Sequence, residues 1–297
     1  MIAKIIKISL LGFIISCQFQ CNNPSVLTKK EDINLSVFTL PSKSDYQQDI
    51  HSEGNTIVQR FTPPKGYQRT PASSSSFATF LRNLPLKDKE AKVRYYNGSI
   101  KPNTGGYAAV IDLPIGTRDL HQCADAVMRL RADYLFQQKR YEDIHFNFTN
   151  GFQADYATWR TGNRIRVSGN QVTWKKVVTP SDTKEAYWKY LEMVFSYAGT
   201  YSLSRELKPV PINEMQIGDV FIQGGFPGHA VIVVDMVENK STDKKLFLLA
   251  QSYMPAQELH VLSNLNNKDI SPWYSLGFVE ELNTPDWGFT NRDLKRF

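Results

Sequence analysis

The sequence predicts an α+β fold, in which helices come first and a run of antiparallel strands follows. Helical periodicity is clearest at residues 122–140 and 181–199. Strand patterns then follow at residues 218–225, 229–237 and 244–254. The six residues between the last two strands are polar and are typical of a hairpin turn. Because helices and strands segregate along the chain, the α+β class is expected.

The first sixteen residues predict a secretory signal rather than part of the fold. Lys4 and Lys7 precede an apolar run over residues 8–15, which is much shorter than the ~20 apolar residues of a membrane-spanning helix. Cys17 lies at the expected cleavage point and resembles the lipobox cysteine of bacterial lipoproteins. The resemblance implies that Cys17 carries a lipid anchor on the periplasmic face of a bacterial membrane, expected to be the outer membrane. The alternative is an ordinary signal whose cleavage site happens to contain cysteine.

The rest of the chain divides into a spacer and one domain. Residues 17–55 are polar and lack periodicity, which is typical of a tether. Residues 56–297 contain enough aliphatic and aromatic side chains for a single large domain. Removing residues 1–16 takes away two lysines and no acid, so the formal charge falls from +6 to +4. There is no dense basic run, and nucleic acid is therefore not expected as a partner.

The remaining elements of the domain are predicted in chain order. The serine-rich residues 72–77 are expected to cap a short helix over residues 77–84. Strands are predicted at residues 92–98 and 106–113. In the later helix, Ser181 is predicted as the N-cap and Gly199 as the end. The aromatic, turn-rich tail after residue 270 is expected to wrap the body of the domain.

Cys123 and His229 are the candidate catalytic pair. Of the three cysteines, only Cys123 lies in the domain, and a lone thiol in an oxidising compartment is usually paired or functional. A disulfide between Cys21 and Cys123 is the alternative, and it requires the tether to reach back. Cys123 begins a predicted helix, whose dipole is expected to depress the thiol pKa toward the nucleophilic thiolate. His229 follows the glycine-rich loop "GGFPG", which leaves room for a substrate backbone.

The third member of the candidate site follows from the register of the predicted hairpin. If residues 238–243 turn, His229 lies opposite about residue 252 on the returning strand. Gln251 falls within the uncertainty of that count, and its amide oxygen is a candidate to hold the imidazole. Ser252 and Tyr253 are the competing candidates. Asp235 lies six residues further along the strand, ~20 Å from His229, and is not expected to contact it.

The segments "IGDVFI" and "GHAVIVVD" resemble the strand pair of NlpC-type and CHAP-type cell-wall hydrolases. That resemblance implies a papain-like α+β fold, with the cysteine-bearing helix packed on an antiparallel sheet, plus insertions. It also implies the roles of nucleophile for Cys123, proton shuttle for His229 and orienting group for Gln251. The residues around Cys123 depart from the pattern, since these hydrolases have Asp-Cys-Ser-Gly where this chain reads "HQCA". Much of residues 60–297, including "DLHQCADAVMRLRADYL", "LLAQSYMPAQ" and "TPDW", resembles an uncharacterised family of bacterial lipoproteins.

Substrate contacts are predicted next to the pair and in a separate aromatic segment. Gln122 is a candidate oxyanion donor, and Gly228 allows close approach of a substrate. Tyr156 and Trp159 are candidates to stack on sugar rings, and Arg160 is a candidate to hold a carboxylate. The competing interpretation of this second segment is core packing with solvated arginines. No metal or cofactor is expected, because the cysteines and histidines show no zinc spacing and no phosphate-binding loop is present.

These observations predict a lipid-anchored envelope enzyme that cleaves an amide bond, with peptidoglycan or a peptide as its substrate. A transferase that passes the acyl group to an amine or hydroxyl is chemically adjacent. The alternative is a non-catalytic binding module of the same fold for wall fragments or an envelope protein. A purely structural lipoprotein is the third hypothesis.

Overall fold

The computed structural model describes residues 53–102, 104–277 and 281–297, which all belong to one compact unit of the chain. The predicted signal at residues 1–16, Cys17, and residues 18–52 of the predicted tether lie outside the described residues. Among the described residues, none of the helices is both long and apolar enough to cross a membrane.

The described chain contains six α-helices and fifteen strands. The helices are α1 (Ile57–Arg60), α2 (Phe77–Arg82), α3 (Cys123–Gln137), α4 (Tyr156–Arg160), α5 (Lys184–Tyr197) and α6 (Thr200–Glu206). The first seven strands are β1 (Gln68–Arg69), β2 (Tyr107–Val110), β3 (His145–Asn147), β4 (Gln153–Asp155), β5 (Asn163–Ser168), β6 (Gln171–Lys176) and β7 (Lys208–Pro209). The others are β8 (Val220–Gln223), β9 (His229–Asn239), β10 (Lys244–Gln251), β11 (His260–Leu262), β12 (Tyr274–Ser275), β13 (Glu281–Asn283), β14 (Gly288–Thr290) and β15 (Leu294–Arg296).

One antiparallel sheet of nine strands organises the domain. Seven of its strands lie in the order β2-β11-β10-β9-β8-β15-β7, while β1 pairs with β9 and β12 pairs with β10. The predicted hairpin is the pair β9 and β10, which runs from Asn239 opposite Lys244 to Ile232 opposite Ala250. The mixture of helices with one large antiparallel sheet confirms the α+β class.

The central strand β9 is buried on both faces, because each face is covered by a different layer. Ala230, Ile232 and Val234 pack into the larger core, which includes the apolar side chains of α3 and α5. Val231 and Val233 pack into a second core with Leu282 and Phe289 of the hairpin β13–β14. The C-terminal segment therefore covers the sheet, as the aromatic tail predicts.

A break in the alternation of β9 occurs at Asp235. The register with β10 shifts between Leu248 and Leu249, which is the signature of a β-bulge. Asp235 is fully buried there and accepts hydrogen bonds from Arg69 (2.9 Å) and Arg82 (2.6 Å). Both arginines are needed because an unpaired buried carboxylate is costly. Asp235 is thus a structural anion, as its distance from His229 implied.

Helix α3 begins where the sequence predicts and carries the candidate nucleophile in its first turn. Gln122 is extended, and its backbone N–H donates to the Asp125 carboxylate at 3.0 Å. A carboxylate in the first turn also interacts favourably with the helix dipole. Eleven of the fifteen helical residues are buried, so α3 is enclosed by the sheet and the neighbouring helices rather than lying on the surface.

Three local predictions differ from the structure. Residues 92–98 form isolated bridges rather than a strand, because a tight turn closes at Gly98, whose φ is 83°. Thr183, not Ser181, caps α5, and its hydroxyl accepts from the Ala186 amide at 3.3 Å. Gly199 does not end α5, which stops at Tyr197; Gly199 instead precedes α6. The predicted cap of α2 is confirmed, since the Ser76 hydroxyl accepts from the Thr79 amide at 3.2 Å.

Candidate functional site

The glycine-rich loop before His229 is shaped by its contact with α6. A Cβ atom at Gly224 would lie 2.0 Å from the Ser204 hydroxyl, and one at Gly228 would lie 2.4 Å from the Thr200 hydroxyl. Real Cβ atoms do not approach other atoms this closely, so both positions require glycine. The loop is therefore pressed against the protein's own helix. This packing holds the start of β9, and with it His229, next to the first turn of α3.

Cys123 lies at the N-terminus of α3, facing the start of β9. Its side chain is 5 % exposed, and it forms no disulfide within the described residues; the alternative pairing with Cys21 lies outside them. The backbone amides of Ala124 and Ala230 interact with the sulfur, and Ala230 is the residue directly after His229. Cys123 also lines the same pocket as Gly228, the residue directly before His229, whereas His229 itself does not line it. The fold thus brings the start of α3 next to the start of β9.

The thiol of Cys123 differs from the expected thiolate. Burial raises its pKa most strongly and the nearby Asp125 carboxyl adds to this effect, whereas the surrounding backbone amides lower the pKa. The result of these effects is a pKa of about 11. A thiol with this pKa is about 0.01 % ionised at pH 7. The helix N-terminus was expected to depress the pKa, but desolvation of the sulfur outweighs the helix dipole. Cys123 is consequently a neutral thiol that requires a base in contact with it before it can act as a nucleophile.

His229 is fully buried and holds the form that a base needs. Its Nε2 atom lies 2.8 Å from the Gln251 side-chain oxygen, so the contact anticipated from the hairpin register is present. Within the part of the chain that the structure describes, its Nδ1 atom has no hydrogen-bond partner. Burial lowers the pKa of His229 to about 4, although the hydrogen bond to Gln251 raises it in part. The imidazole is therefore neutral at pH 7.

Aromatic rings enclose the imidazole of His229. The ring centroid of Tyr253 lies 4.8 Å away, that of Trp287 5.5 Å away and that of Phe289 5.9 Å away. Trp287 and Phe289 belong to the C-terminal segment that covers the second face of the sheet. They exclude water from the ring, which is why the neutral form is favoured.

Gln251 connects His229 to three polar residues that the sequence did not predict. Its amide nitrogen lies 2.6 Å from an Asp286 carboxylate oxygen and 3.5 Å from His260 Nε2. The same Asp286 oxygen is 3.4 Å from the Lys101 ammonium. Asp286 follows Pro285 in the tail motif "TPDW", and His260 lies opposite Gln251 in the pair of β10 and β11.

A pocket of about 270 Å³ opens onto Cys123. One wall is the first turn of α3 and the other is the loop of residues 225–228 together with the start of α6. Gln122 and Gly228 line this pocket, and their role as substrate contacts stays a prediction. The Gln122 side-chain amide donates to the Asp119 carboxylate at 3.1 Å, so it is held by a neighbour rather than pointing freely at the thiol. Phe226 at the rim is 84 % exposed.

The predicted aromatic contacts lie elsewhere, and the packing interpretation accounts for them. Tyr156 and Trp159 are 0 % and 3 % exposed, and the Trp159 indole N–H donates to the Ala186 carbonyl at 2.9 Å. Arg160 pairs with Asp182 at 3.1 Å. These three residues do not line the pocket at Cys123. The burial of the two rings favours the packing interpretation, and the role of the three residues in substrate binding stays a prediction.

A metal centre is not assembled by the residues that the structure describes. Within residues 53–102, 104–277 and 281–297, no three side chains among His, Cys, Asp and Glu are grouped to hold an ion. The chemistry available at this place is that of a thiol, a neutral imidazole and an amide.

Comparison with known proteins adds a family but no activity. Residues 57–296 match the family model described as "Domain of unknown function (4846)", which covers the whole described fold except its ends. The comparisons with curated proteins and with solved structures give no match.

Proposed function

We propose that this chain, which belongs to the family described as domain of unknown function 4846, is a lipid-anchored cysteine hydrolase of the cell envelope that cleaves an amide bond of peptidoglycan. The observation that carries the proposal is the state of His229. One ring nitrogen is held by Gln251 at 2.8 Å, and the other has no partner. The amide of Ala230, the residue directly after His229, interacts with the Cys123 sulfur, so the strand that carries the imidazole begins next to the thiol. A buried imidazole with an unoccupied nitrogen, on a strand that begins at a thiol, supports the roles of general base and nucleophile.

The reaction follows from the protonation states. The Cys123 thiol transfers its proton to Nδ1 of His229 while the sulfur attacks the carbonyl carbon of the amide. The electron pair of the carbonyl moves to its oxygen, and backbone amides of the first turn of α3 are positioned to donate to that oxyanion. As the tetrahedral intermediate collapses, the amine leaves with the proton from His229. Water then attacks the thioester carbonyl and loses a proton to His229. As the C–S bond breaks, His229 passes this proton to the Cys123 sulfur, and the acid is released.

The raised thiol pKa makes this a neutral-pair mechanism. A preformed thiolate–imidazolium pair would require a thiol pKa below that of the imidazole, whereas here the pKa of Cys123 is raised to about 11 and that of His229 is lowered to about 4. Proton transfer is therefore expected to accompany attack on the carbonyl. The burial that disfavours both charges also strengthens the hydrogen bonds to the oxyanion, because the site has a low local dielectric.

The fold and the anchor are parts of the same proposal. The cysteine at the start of a buried helix, the antiparallel sheet beside it and the histidine that opens a strand support the papain-like arrangement of NlpC-type and CHAP-type hydrolases. The order Cys123, His229, Gln251 is also the order in that group. Cys17 at the end of an apolar N-terminal segment supports lipid attachment at the periplasmic face of the outer membrane. Peptidoglycan is the amide-rich polymer within reach of such an anchor.

Digestion of purified peptidoglycan tests the proposal. The parent protein is expected to release soluble fragments with new amine and carboxyl ends, identified by mass spectrometry. Cys123→Ala and His229→Ala are each expected to lower the rate at least ~10³-fold while keeping the circular-dichroism spectrum of the parent. Intact-protein mass spectrometry of the parent should detect an acyl adduct on Cys123 that hydroxylamine removes.

A second candidate function is a binding module of the same fold, and the buried, protonated thiol of Cys123 favours it. In this case wall fragments bind the parent and Cys123→Ala with equal affinity, and neither protein produces fragments or an acyl adduct. That result would contradict the hydrolase. Loss of fragment release in Cys123→Ala with retained binding supports the hydrolase instead.

A further inference from the structure

We propose that Asp286 and His260 are positioning residues, which act through the Gln251 amide to hold His229 in the tautomer that leaves Nδ1 free to accept a proton. This inference rests on the proposed function for its catalytic meaning. The assignment of the tautomers rests on the hydrogen-bond geometry alone.

The orientation of the Gln251 amide follows from Asp286. The Asp286 carboxylate offers only acceptors, and one of its oxygens lies 2.6 Å from the Gln251 amide nitrogen. If the amide were flipped, two oxygens would face each other at that distance, which is strongly unfavourable. Lys101 lies 3.4 Å from the same carboxylate oxygen and forms an ion pair with it. The N–H groups of Gln251 are therefore directed at Asp286.

His260 provides a second, independent constraint on the same amide. Its Nδ1 atom is 2.8 Å from the backbone carbonyl oxygen of Glu258. A carbonyl only accepts, so Nδ1 of His260 carries the proton and Nε2 carries a lone pair. That lone pair lies 3.5 Å from the Gln251 amide nitrogen. Both amide hydrogens of Gln251 thus have an acceptor, one on Asp286 and one on His260.

The orientation of Gln251 then determines the tautomer of His229. With its nitrogen directed at Asp286 and His260, Gln251 presents its oxygen to His229 Nε2 at 2.8 Å. An amide oxygen only accepts, so the proton of the neutral imidazole must be on Nε2. The lone pair is consequently on Nδ1, the atom without a hydrogen-bond partner. His229 and His260 are therefore expected to hold opposite tautomers, although they lie on either side of one side chain.

Burial of the three side chains excludes the opposite tautomer of His229. His229, Gln251 and His260 are each no more than 1 % exposed, so water does not replace any of the three partners. Burial also lowers the pKa of both His229 and His260 to about 4, in agreement with neutral rings that have one proton each. The opposite tautomer of His229 would leave two lone pairs facing each other across 2.8 Å. Such an unpaired contact is strongly unfavourable in a buried site, because no water is present to satisfy either atom.

Nitrogen-15 NMR of the full-length protein with labelled histidine tests the tautomers directly. At pH 7, long-range proton–nitrogen correlations should show the Nε2–H tautomer for His229 and the Nδ1–H tautomer for His260. His229→Gln and His260→Gln spectra assign the two signals. An Nδ1–H tautomer for His229, or an average of the two forms, would overturn the proposal.

A pair of substitutions separates positioning from structural support. Gln251→Glu places two carboxylates in contact at the position of the 2.6 Å hydrogen bond and is expected to lower the rate of peptidoglycan cleavage ~10- to 100-fold. Asp286→Asn in the same protein restores a donor opposite the new carboxylate, which still accepts from His229. The double variant should therefore recover at least tenfold over Gln251→Glu and again show the Nε2–H tautomer of His229. The Asp286→Asn single variant is measured as well. If the rate loss of the double variant equals the product of the losses in Gln251→Glu and Asp286→Asn, Asp286 does not act through residue 251.

The two readouts distinguish this inference from the proposed function. If the parent cleaves peptidoglycan but its histidines hold other tautomers, only the positioning role of Asp286 and His260 fails. If the tautomers are as assigned but neither cleavage nor an acyl adduct on Cys123 occurs, the hydrolase fails and the hydrogen-bond arrangement stands.

Discussion

Two regions of the molecule offered candidate functional residues, and the fold treats them in opposite ways. Cys123, His229 and Gln251 are widely spaced in the sequence, yet His229 contacts Gln251, and Ala230, the residue after His229, contacts Cys123. Tyr156, Trp159 and Arg160 are close in the sequence, yet their aromatic rings are enclosed between α4 and α5. We refer to the first set as the thiol site and to the second as the α4 region.

The difference lies in the chemistry of the polar atoms that find no partner. Within the described residues, both regions leave such buried atoms: Nδ1 of His229 in the thiol site, and the Tyr156 hydroxyl and Arg160 Nε in the α4 region. In the α4 region the Trp159 indole N–H reaches a backbone carbonyl of α5, and Arg160 also reaches Asp182. An unpaired atom alone therefore does not indicate a reactive site. The thiol site differs because a neutral imidazole nitrogen can accept a proton, whereas a guanidinium N–H can only donate.

The largest expected effect is on the pH dependence of the free energy of unfolding, which has opposite signs for the histidines of the two regions. Burial lowers the pKa of His121, His229 and His260 to about 3, 4 and 4. An unfolded chain binds protons at these residues from pH 6.5 downward, whereas the folded chain does so only near their lowered pKa. Stability is therefore present above pH 6.5 and is lost as the pH falls toward 4, by several kcal/mol in total. Urea unfolding at pH 7, 5.5 and 4 measures this loss.

Two other groups set the controls for that experiment. Burial raises the pKa of Asp125, so its contribution has the opposite sign, since the folded chain retains its proton to higher pH. Near the α4 region, a hydrogen bond to Glu206 raises the pKa of His145, so its contribution is present below pH 6.5 and is lost as the pH rises through the raised value. His121→Gln should reduce the loss of stability in acid, and His145→Gln should increase it. If the free energy of unfolding falls equally with pH in the parent, His121→Gln and His145→Gln, the directions of these pKa shifts are contradicted.

The second effect is expected for Trp159→Ala, which should lower stability without changing turnover. Trp159→Ala removes a buried indole and its hydrogen bond to Ala186, and it should lower the free energy of unfolding by about 3–5 kcal/mol. Turnover per folded molecule should be unchanged, because the ring does not line the pocket at Cys123. Cys123→Ala, as the matched variant, should change stability by only about 1 kcal/mol. If Trp159→Ala instead lowers the turnover of the folded protein, the α4 region belongs to the substrate site.

The smallest effect is expected at the surface of the α4 region. Arg160 pairs with Asp182 at 3.1 Å and stacks over the Tyr141 ring at 4.4 Å, and both Arg160 and Asp182 are substantially solvent-exposed. Arg160→Ala should therefore lower the free energy of unfolding by about 1 kcal/mol or less. Binding of peptidoglycan fragments, measured by calorimetry, should not change. A tenfold loss of affinity would restore the sequence-based expectation that Arg160 holds a substrate carboxylate.

Much of the architecture was predictable because it depends on local patterns. Periodicity placed α3 and α5 to within a few residues, and the polar residues 238–243 indicated the hairpin that joins β9 and β10. Counting along that hairpin was enough to place Gln251 near His229, because the β-bulge in β9 shifts the register with β10 by only one residue. The predicted strand at residues 92–98 was wrong because a glycine turn, rather than alternating side chains, determines the backbone there.

The sequence by itself determined the α+β class, the helix that begins at Cys123 and the strand that begins at His229, because these depend on side-chain periodicity and on glycine in the connecting loop. Only the tertiary structure decided the ionisation of the thiol, since desolvation by surrounding layers outweighs the dipole of its own helix. It also decided the partners of Gln251, because Asp286 and His260 reach it from segments whose approach no local pattern records. It also decided the burial of the Tyr156 and Trp159 rings for the same reason, since burial depends on which distant element packs against a residue.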